Sequence, residues 1–319
     1  MKDKLRFIFI PTLACLFGLT VVYTFLHWLL IIKLEIFPES DFFVEFMIPM
    51  ALSALLVLLI IRPRCKILDL EVKNGNWSGF YSFFIFIALI VPTIITQDYI
   101  VTASGTLTKL SSANEIDPTA LTKYYILEHY YIDKRLISSD VSMDVSGKRK
   151  ENFNMYLYVT TPLLASEADT STLQCPAWLG KEYKKTINNN LAPEVKEARF
   201  REFVNSSEYK FKSEAMAEFQ YLDRVGYSSG LDGLMNAAKG NTFVGPPIVL
   251  TPVNEPFEER NGSKLAWIAI TSLAGLTIWS IMIFPAKIDE DQLMRVKQRK
   301  PNGLKKQIKV ATPEELTNQ

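Results

Sequence analysis

The sequence predicts a membrane protein, with four transmembrane α-helices and an α+β extracytoplasmic domain inserted between helices 3 and 4. Three observations lead there. Four runs, at 7–32, 46–61, 80–95 and 265–284, carry almost no charge. The chain from 97 to 264 is ordinarily polar, as a water-soluble insert is. Lysine and arginine gather beside some ends of the apolar runs and avoid others.

The first run, 7–32, is long enough to cross ~30 Å of hydrocarbon with some tilt. Its leading "MKDKLR" resembles the basic start of a signal peptide. The apolar stretch is too long for one, and no small-x-small cleavage site follows, so a retained helix is expected. The second run reaches spanning length as 42–61, which brings Glu45 into its outer turn and puts Pro49 near its start. The third extends over 78–100 if Gln97 and Asp98 lie at the interface, with Trp77 and Tyr81 in one aromatic belt and Tyr99 in the other. The fourth, 263–285, holds "LAWIAITSLAGLTIWSIMIF", with Trp267 at one end and Pro285 just past the other.

Orientation follows from the basic residues. Lys2, Lys4 and Arg6 precede the first run; Arg62, Arg64, Lys66 and Lys73 lie between the second and third. Lys287, Arg295, Lys297, Arg299, Lys300, Lys305, Lys306 and Lys309 follow the fourth. The loop "KLEIFPESD" has one lysine against Glu35, Glu39 and Asp41. Both termini and the second loop are therefore expected in the cytoplasm, and the first loop and the insert outside. The basic tail, 286–319, with a short helix near 290–300, is read as facing anionic headgroups together with Arg62, Arg64 and Lys66, each worth about 1 kcal/mol near the surface. Partner binding by this tail is the alternative.

The insert, 101–262, has the size of one domain. Between 98 and 261 it carries 18 basic and 22 acidic residues, which argues against a nucleic-acid surface. Its first half reads as strand: "YYILEHYYIDK" (124–134), "ISSDVSMDV" (137–145) and "NFNMYLYVTTPLL" (152–164), the last two joined as a hairpin through "SGKRKEN". Its second half reads as helix. Pro193 opens one, and Val195, Ala198, Phe200, Phe203 and Val204 form its apolar face. "NSS" at 205–207 interrupts it and caps a second helix carrying Phe211, Ala215, Phe219 and Leu222. "TFVGPPIVLTPV" reads as an edge or broken strand because of its prolines. A mainly antiparallel sheet follows.

The chemical candidates are few. Ser104, in "TASG", is the one serine that invites a nucleophile reading, but a nucleophile needs a base and oxyanion donors. His27, His129 and Lys109 are the available bases, and none is placed by spacing. A loop serine beside a turn glycine is the simpler reading. His27 and Glu45 are the ionisable groups within the apolar runs, where charge is costly and often functional. Both fall near the outer interface, and few polar residues stand at mid-depth, so interfacial roles are expected and a transporter is disfavoured. Cys15, Cys65 and Cys175 are far apart, the insert holds only one of them, and the chain has two histidines. No disulfide within the insert, no metal site and no cofactor are expected.

The words "KNGNWSGFYSF", "VSGKRKENFNMYLYV", "AWLGKEYKKTINN" and "TPVNEPFEERNGSKLAW" resemble the amino-terminal membrane region that precedes the rhomboid protease module in some Bacteroidetes proteins. The resemblance covers the chain from the first helix to the fourth. It implies an extracytoplasmic domain that accompanies a membrane protease or complex. The rhomboid core, with its Gly-x-Ser-Gly motif and histidine, is not within these residues, so no catalytic residue is carried over. The expected function is a non-enzymatic inner-membrane accessory or scaffold subunit whose periplasmic domain binds a protein partner. A serine hydrolase using Ser104 and a small transporter are the alternatives.

Overall fold

A computed structural model describes residues 1–34, 42–72, 75–215 and 219–298. Glu35, Glu39, Asp41, Lys73, Arg299, Lys300, Lys305, Lys306 and Lys309 lie outside the described residues, so the acidic loop and much of the basic tail are not placed. Four helices are long and apolar enough to cross a membrane: α1 (Lys2–Lys33), α2 (Phe43–Cys65), α3 (Ser78–Ser104) and one within Phe257–Ile283. A sheet-rich region separates the third from the fourth in sequence. The chain divides into two compact units.

The first unit comprises Met1–Phe17, Ser53–Leu89 and the chain from Ser272 onward. Ile8, Ile61, Ile67, Ile85, Leu89, Trp279 and Ile283 are buried in it. Tyr81 packs edge-on to Trp279 and donates its hydroxyl to the Met282 carbonyl at 2.8 Å. Lys4 donates to the carbonyls of Phe284 and Ala286, just past the last apolar helix. A cation there satisfies end carbonyls and complements the helix dipole. A two-residue ribbon pairs Leu68–Asp69 with Lys287–Ile288. Asp289 then caps a short helix, Glu290–Gln298, by accepting from the Gln292 amide at 3.1 Å. Lys297 of that helix pairs with Asp3 at 3.2 Å.

The second unit, Gly18–Leu52 with Ile90–Thr271, holds the sheet. Its strands are β1 (Leu107–Ser112), β2 (Tyr124–His129), β3 (Ser138–Ser146), β4 (Asn152–Leu163), β5 (Ala177–Asn188), β6 (Tyr221–Arg224) and β7 (Val249–Val253). They lie in the order β1-β2-β6-β7-β5-β4-β3. Four neighbouring pairs are antiparallel, and β1–β2 and β7–β5 are parallel, so the sheet is mixed with an antiparallel majority. The hairpin expected at "SGKRKEN" joins β3 to β4 in an unbroken register from Ser138↔Thr160 to Ser146↔Asn152.

Side chains alternate between the faces of a strand. Met155, Leu157 and Val159 of β4 join Phe203 and Phe211 of a long helix, α4 (Pro193–Ala215), in one core. Tyr158, on the opposite face, joins Trp178, Leu234 and Ala237, the last two from α5 (Ser229–Lys239). Each face thus has its own helix. Gly233 of α5 sits against the Tyr158 ring, where an added Cβ would come within 2.5 Å of it.

Several expectations are corrected. α4 runs unbroken through "NSS": Ser206 donates its hydroxyl back to the Phe203 carbonyl at 3.0 Å, and Ser207 is buried, so neither caps a new helix. Leu222, expected on a second helix, lies in β6. The proline-rich β7 is interior, not an edge: it lies between β6 and β5. Its parallel pairing with β5 covers only Val249 and Leu250, so Pro252 removes no donor from that ladder. β1, β5, β6 and α5 were not assigned from the sequence. α3 continues past 100 to Ser104, which makes Ser104 helical and not part of a loop.

Candidate functional site

Thr20, Tyr23, Thr24 and His27 recur at i, i+3, i+4 and i+7, so they share one face of α1. Thr93 and Gln97 stand one turn apart on α3. The structure brings these two rows together within the second unit. His27 Nδ1 and Gln97 Oε1 are 2.8 Å apart, and the Gln97 amide nitrogen donates to Thr24 Oγ1 at 2.9 Å and to the Thr93 carbonyl at 3.2 Å. The Thr20 and Thr93 hydroxyls are 3.2 Å apart. Tyr23 donates to the Val44 carbonyl of α2 at 2.5 Å and stacks on the His27 ring. Glu45, the next residue after Val44, is half-buried and within electrostatic reach of Tyr23.

His27 and Gln97 thus face other side chains inside the bundle. His27 is 4% exposed and Gln97 fully buried. Inside an apolar bundle an unpaired polar group costs several kcal/mol, so such groups are found paired. The sequence reading missed Thr20, Thr24 and Thr93, and gave Gln97 no helix partner. The available signal was their helical spacing within apolar runs, a periodicity that a search for charge alone does not register. Wide π-type turns recur along the apolar helices, at Leu5–Phe9 and Val57–Ile61 as well as here. Trp28–Lys33, directly after His27, and Phe43–Met47, which contains Glu45, both have wide π-type turns. Such turns often mark functional segments of helices.

A second constellation mounts the sheet on the end of α3. Arg260 reaches the Thr102 and Ala103 carbonyls at 3.2 and 3.4 Å and lies 4.0 Å over the Phe257 ring. Phe257, Tyr124 and Tyr221 pack edge-on to one another, and the Tyr124 hydroxyl donates to the Thr102 carbonyl. Burial pushes the Tyr124 phenol well above its ordinary range. Lys264 pairs with Asp98 at 2.7 Å. Gly105 follows, where a Cβ would meet the Tyr124 ring at 2.5 Å, so the chain turns away from the helix through a position that only glycine fits.

Ser104 sits in this mount. Its hydroxyl donates to the Ile100 carbonyl at 2.6 Å, a bond inside its own helix. Cys175 is buried, and burial pushes its thiol up to about 12, the opposite of an activated nucleophile. Arg135 hydrogen-bonds Asp133 and holds its carboxyl below the ordinary range, whereas burial raises that of Glu182. Among the described residues no group of three or more His, Cys, Asp or Glu could hold a metal ion. Of the basic residues expected at the membrane surface, Arg62, Lys66, Arg295 and Lys297 are exposed. Arg64 is half-buried and donates to the Ile60 carbonyl at 2.6 Å. No known protein family, no curated protein and no solved structure matches the chain.

Proposed function

We propose that this is a non-enzymatic inner-membrane protein, with both termini cytoplasmic and the sheet domain periplasmic. It acts as an accessory or scaffold subunit by binding a protein partner along β3. The observation that supports this reading is the state of β3. It is nine residues long, pairs with β4 on one side only, and leaves Val141, Met143 and Val145 between 43 and 47% exposed in one row. Natural edge strands are usually short, bulged or guarded by charge or proline; β3 is long, unbulged and free of lysine and proline, and its charges, Asp140 and Asp144, alternate with the apolar row. An exposed sheet edge with an apolar row is a surface to which another chain can add a strand. The resemblance to regions ahead of rhomboid modules makes a membrane protease or its complex the first partner class to test.

A photocrosslinking residue at Met143 is expected to give one discrete heterologous adduct in cells. Val141→Lys, Met143→Lys and Val145→Lys together are expected to abolish it while the purified full chain keeps its unfolding temperature. A lone monomer with no adduct, in a folded protein, would sink the reading. The hydrolase alternative has less support, since the Ser104 hydroxyl is committed to Ile100. Fluorophosphonate labelling that disappears in Ser104→Ala would restore it. The transporter reading gains one observation, the buried polar cluster of α1 and α3.

A further inference from the structure

The His27–Gln97 contact has a direction that the surrounding bonds fix. A backbone carbonyl can only accept, so the end of the Gln97 side chain that faces the Thr93 carbonyl is the NH2 group. Thr24 Oγ1 receives the same nitrogen. The Oε1 atom is thereby turned to His27, and an amide oxygen can only accept. His27 Nδ1 must therefore carry a hydrogen whatever the charge of the ring. Any change of protonation takes place at Nε2.

We propose that His27 is an intramembrane proton-binding site, with Nδ1–H locked by Gln97 and the exchangeable proton carried on Nε2. The ligand is a proton from water: it adds to the Nε2 lone pair, a neutral imidazole becomes an imidazolium, and release reverses the step. The groups packed around the ring fit that task. On α1, Tyr23 stacks on it with ring centroids 6.2 Å apart. On α3, Gln97 and Thr93 supply neutral polar contacts, while Asp98 is paired with Lys264. On α2, Glu45 is the acidic residue brought to the cluster through Val44 and Tyr23. A cation among apolar helices is tolerated when a carboxylate shares its surroundings, and intramembrane proton sites pair histidine with acidic side chains for this reason. Glu45 lies within a π-type turn, Phe43–Met47, and His27 is the residue just before another, Trp28–Lys33. Gln97 lies immediately before Asp98 and about a turn before Thr102, the residues that Lys264 and Arg260 hold. Proton loading thus acts on the α1–α3 contact next to the domain mount. The inference stands apart from partner binding along β3.

The test uses the full chain in lipid nanodiscs with imidazole-15N histidine, in a His129→Gln background. His129 is exposed on the sheet domain and has no part in this cluster. Over about pH 5 to 9 the expected spectrum keeps Nδ1 protonated throughout, while Nε2 passes from unprotonated to protonated as pH falls. Gln97→Leu is expected to release the lock and give a mixture of both tautomers at high pH. An Nε2–H tautomer in the unaltered chain overturns the proposal, as does a ring whose nitrogens do not change over this range. The unaltered chain decides the matter by itself if Gln97→Leu does not fold.

Discussion

The helices and the sheet domain bury polar groups by opposite rules. In the domain, the ladders satisfy the backbone, and the side chains between sheet and helix are mostly apolar, from Met155 and Leu157 to Phe203 and Phe211. Among α1, α2 and α3 the backbone is satisfied within each helix. The contacts that join one helix to another there include side-chain hydrogen bonds from Tyr23, Gln97 and the threonines. The difference follows from the solvent. Water drives apolar side chains together, whereas lipid tails are as apolar as leucine and give no such force, so packing and polar contacts decide which helices meet. Stability in the domain is therefore spread over area. Specificity between the helices is concentrated in a few atoms.

Substitutions in each region sharpen that contrast. The largest effect is expected from Phe211→Ala in the domain core. Phe211 is fully buried, and its loss costs about 3–5 kcal/mol in thermal or denaturant unfolding. A cost below that of any helix-bundle substitution would break the comparison. Arg260→Ala comes next, at about 1.5–3 kcal/mol, because it strips charge-assisted bonds from the Thr102 and Ala103 carbonyls and bares Phe257. Hydrogen exchange at the end of α3 is expected to rise with it. The smallest effect is at Glu182, whose side chain lies against Gly230 at the start of α5. Burial raises its folded-state pKa, so the folded chain holds this proton more tightly than the unfolded one. Stability then falls as pH rises through the carboxylate range. Glu182→Gln is expected to raise the unfolding temperature slightly at pH 7 and to leave it unchanged below about pH 4. A decrease at pH 7 would contradict the burial argument.

Legibility in the sequence followed the same division. The four long helices were readable because absence of charge over a span's length is a strong signal. β3 and β4 were readable because their apolar residues alternate around a polar turn. β5 was hidden by its lysines: in "AWLGKEYKKTIN" the alternation exists, but Lys181 and Lys185 stand on the same side as Tyr183 and Ile187. β6 has four residues, too few for any period to establish itself. In the candidate site His27 and Glu45 were visible because they can carry charge. Gln97 was taken for an interfacial residue, because its place depends on a partner helix some 70 residues away.

The mount on α3 has a consequence for how this chain can be taken apart. The Arg260 side chain reaches the carbonyls at 102 and 103 within 3.4 Å, so the point where the insert begins and the point where it ends lie within one side chain's reach of each other. A segment whose two ends meet is a portable module, and circularisation or transplantation demands little of its interior. A short glycine linker is therefore expected to suffice to join residue 262 back to residue 105, and the same short linker to join the third helix to the fourth.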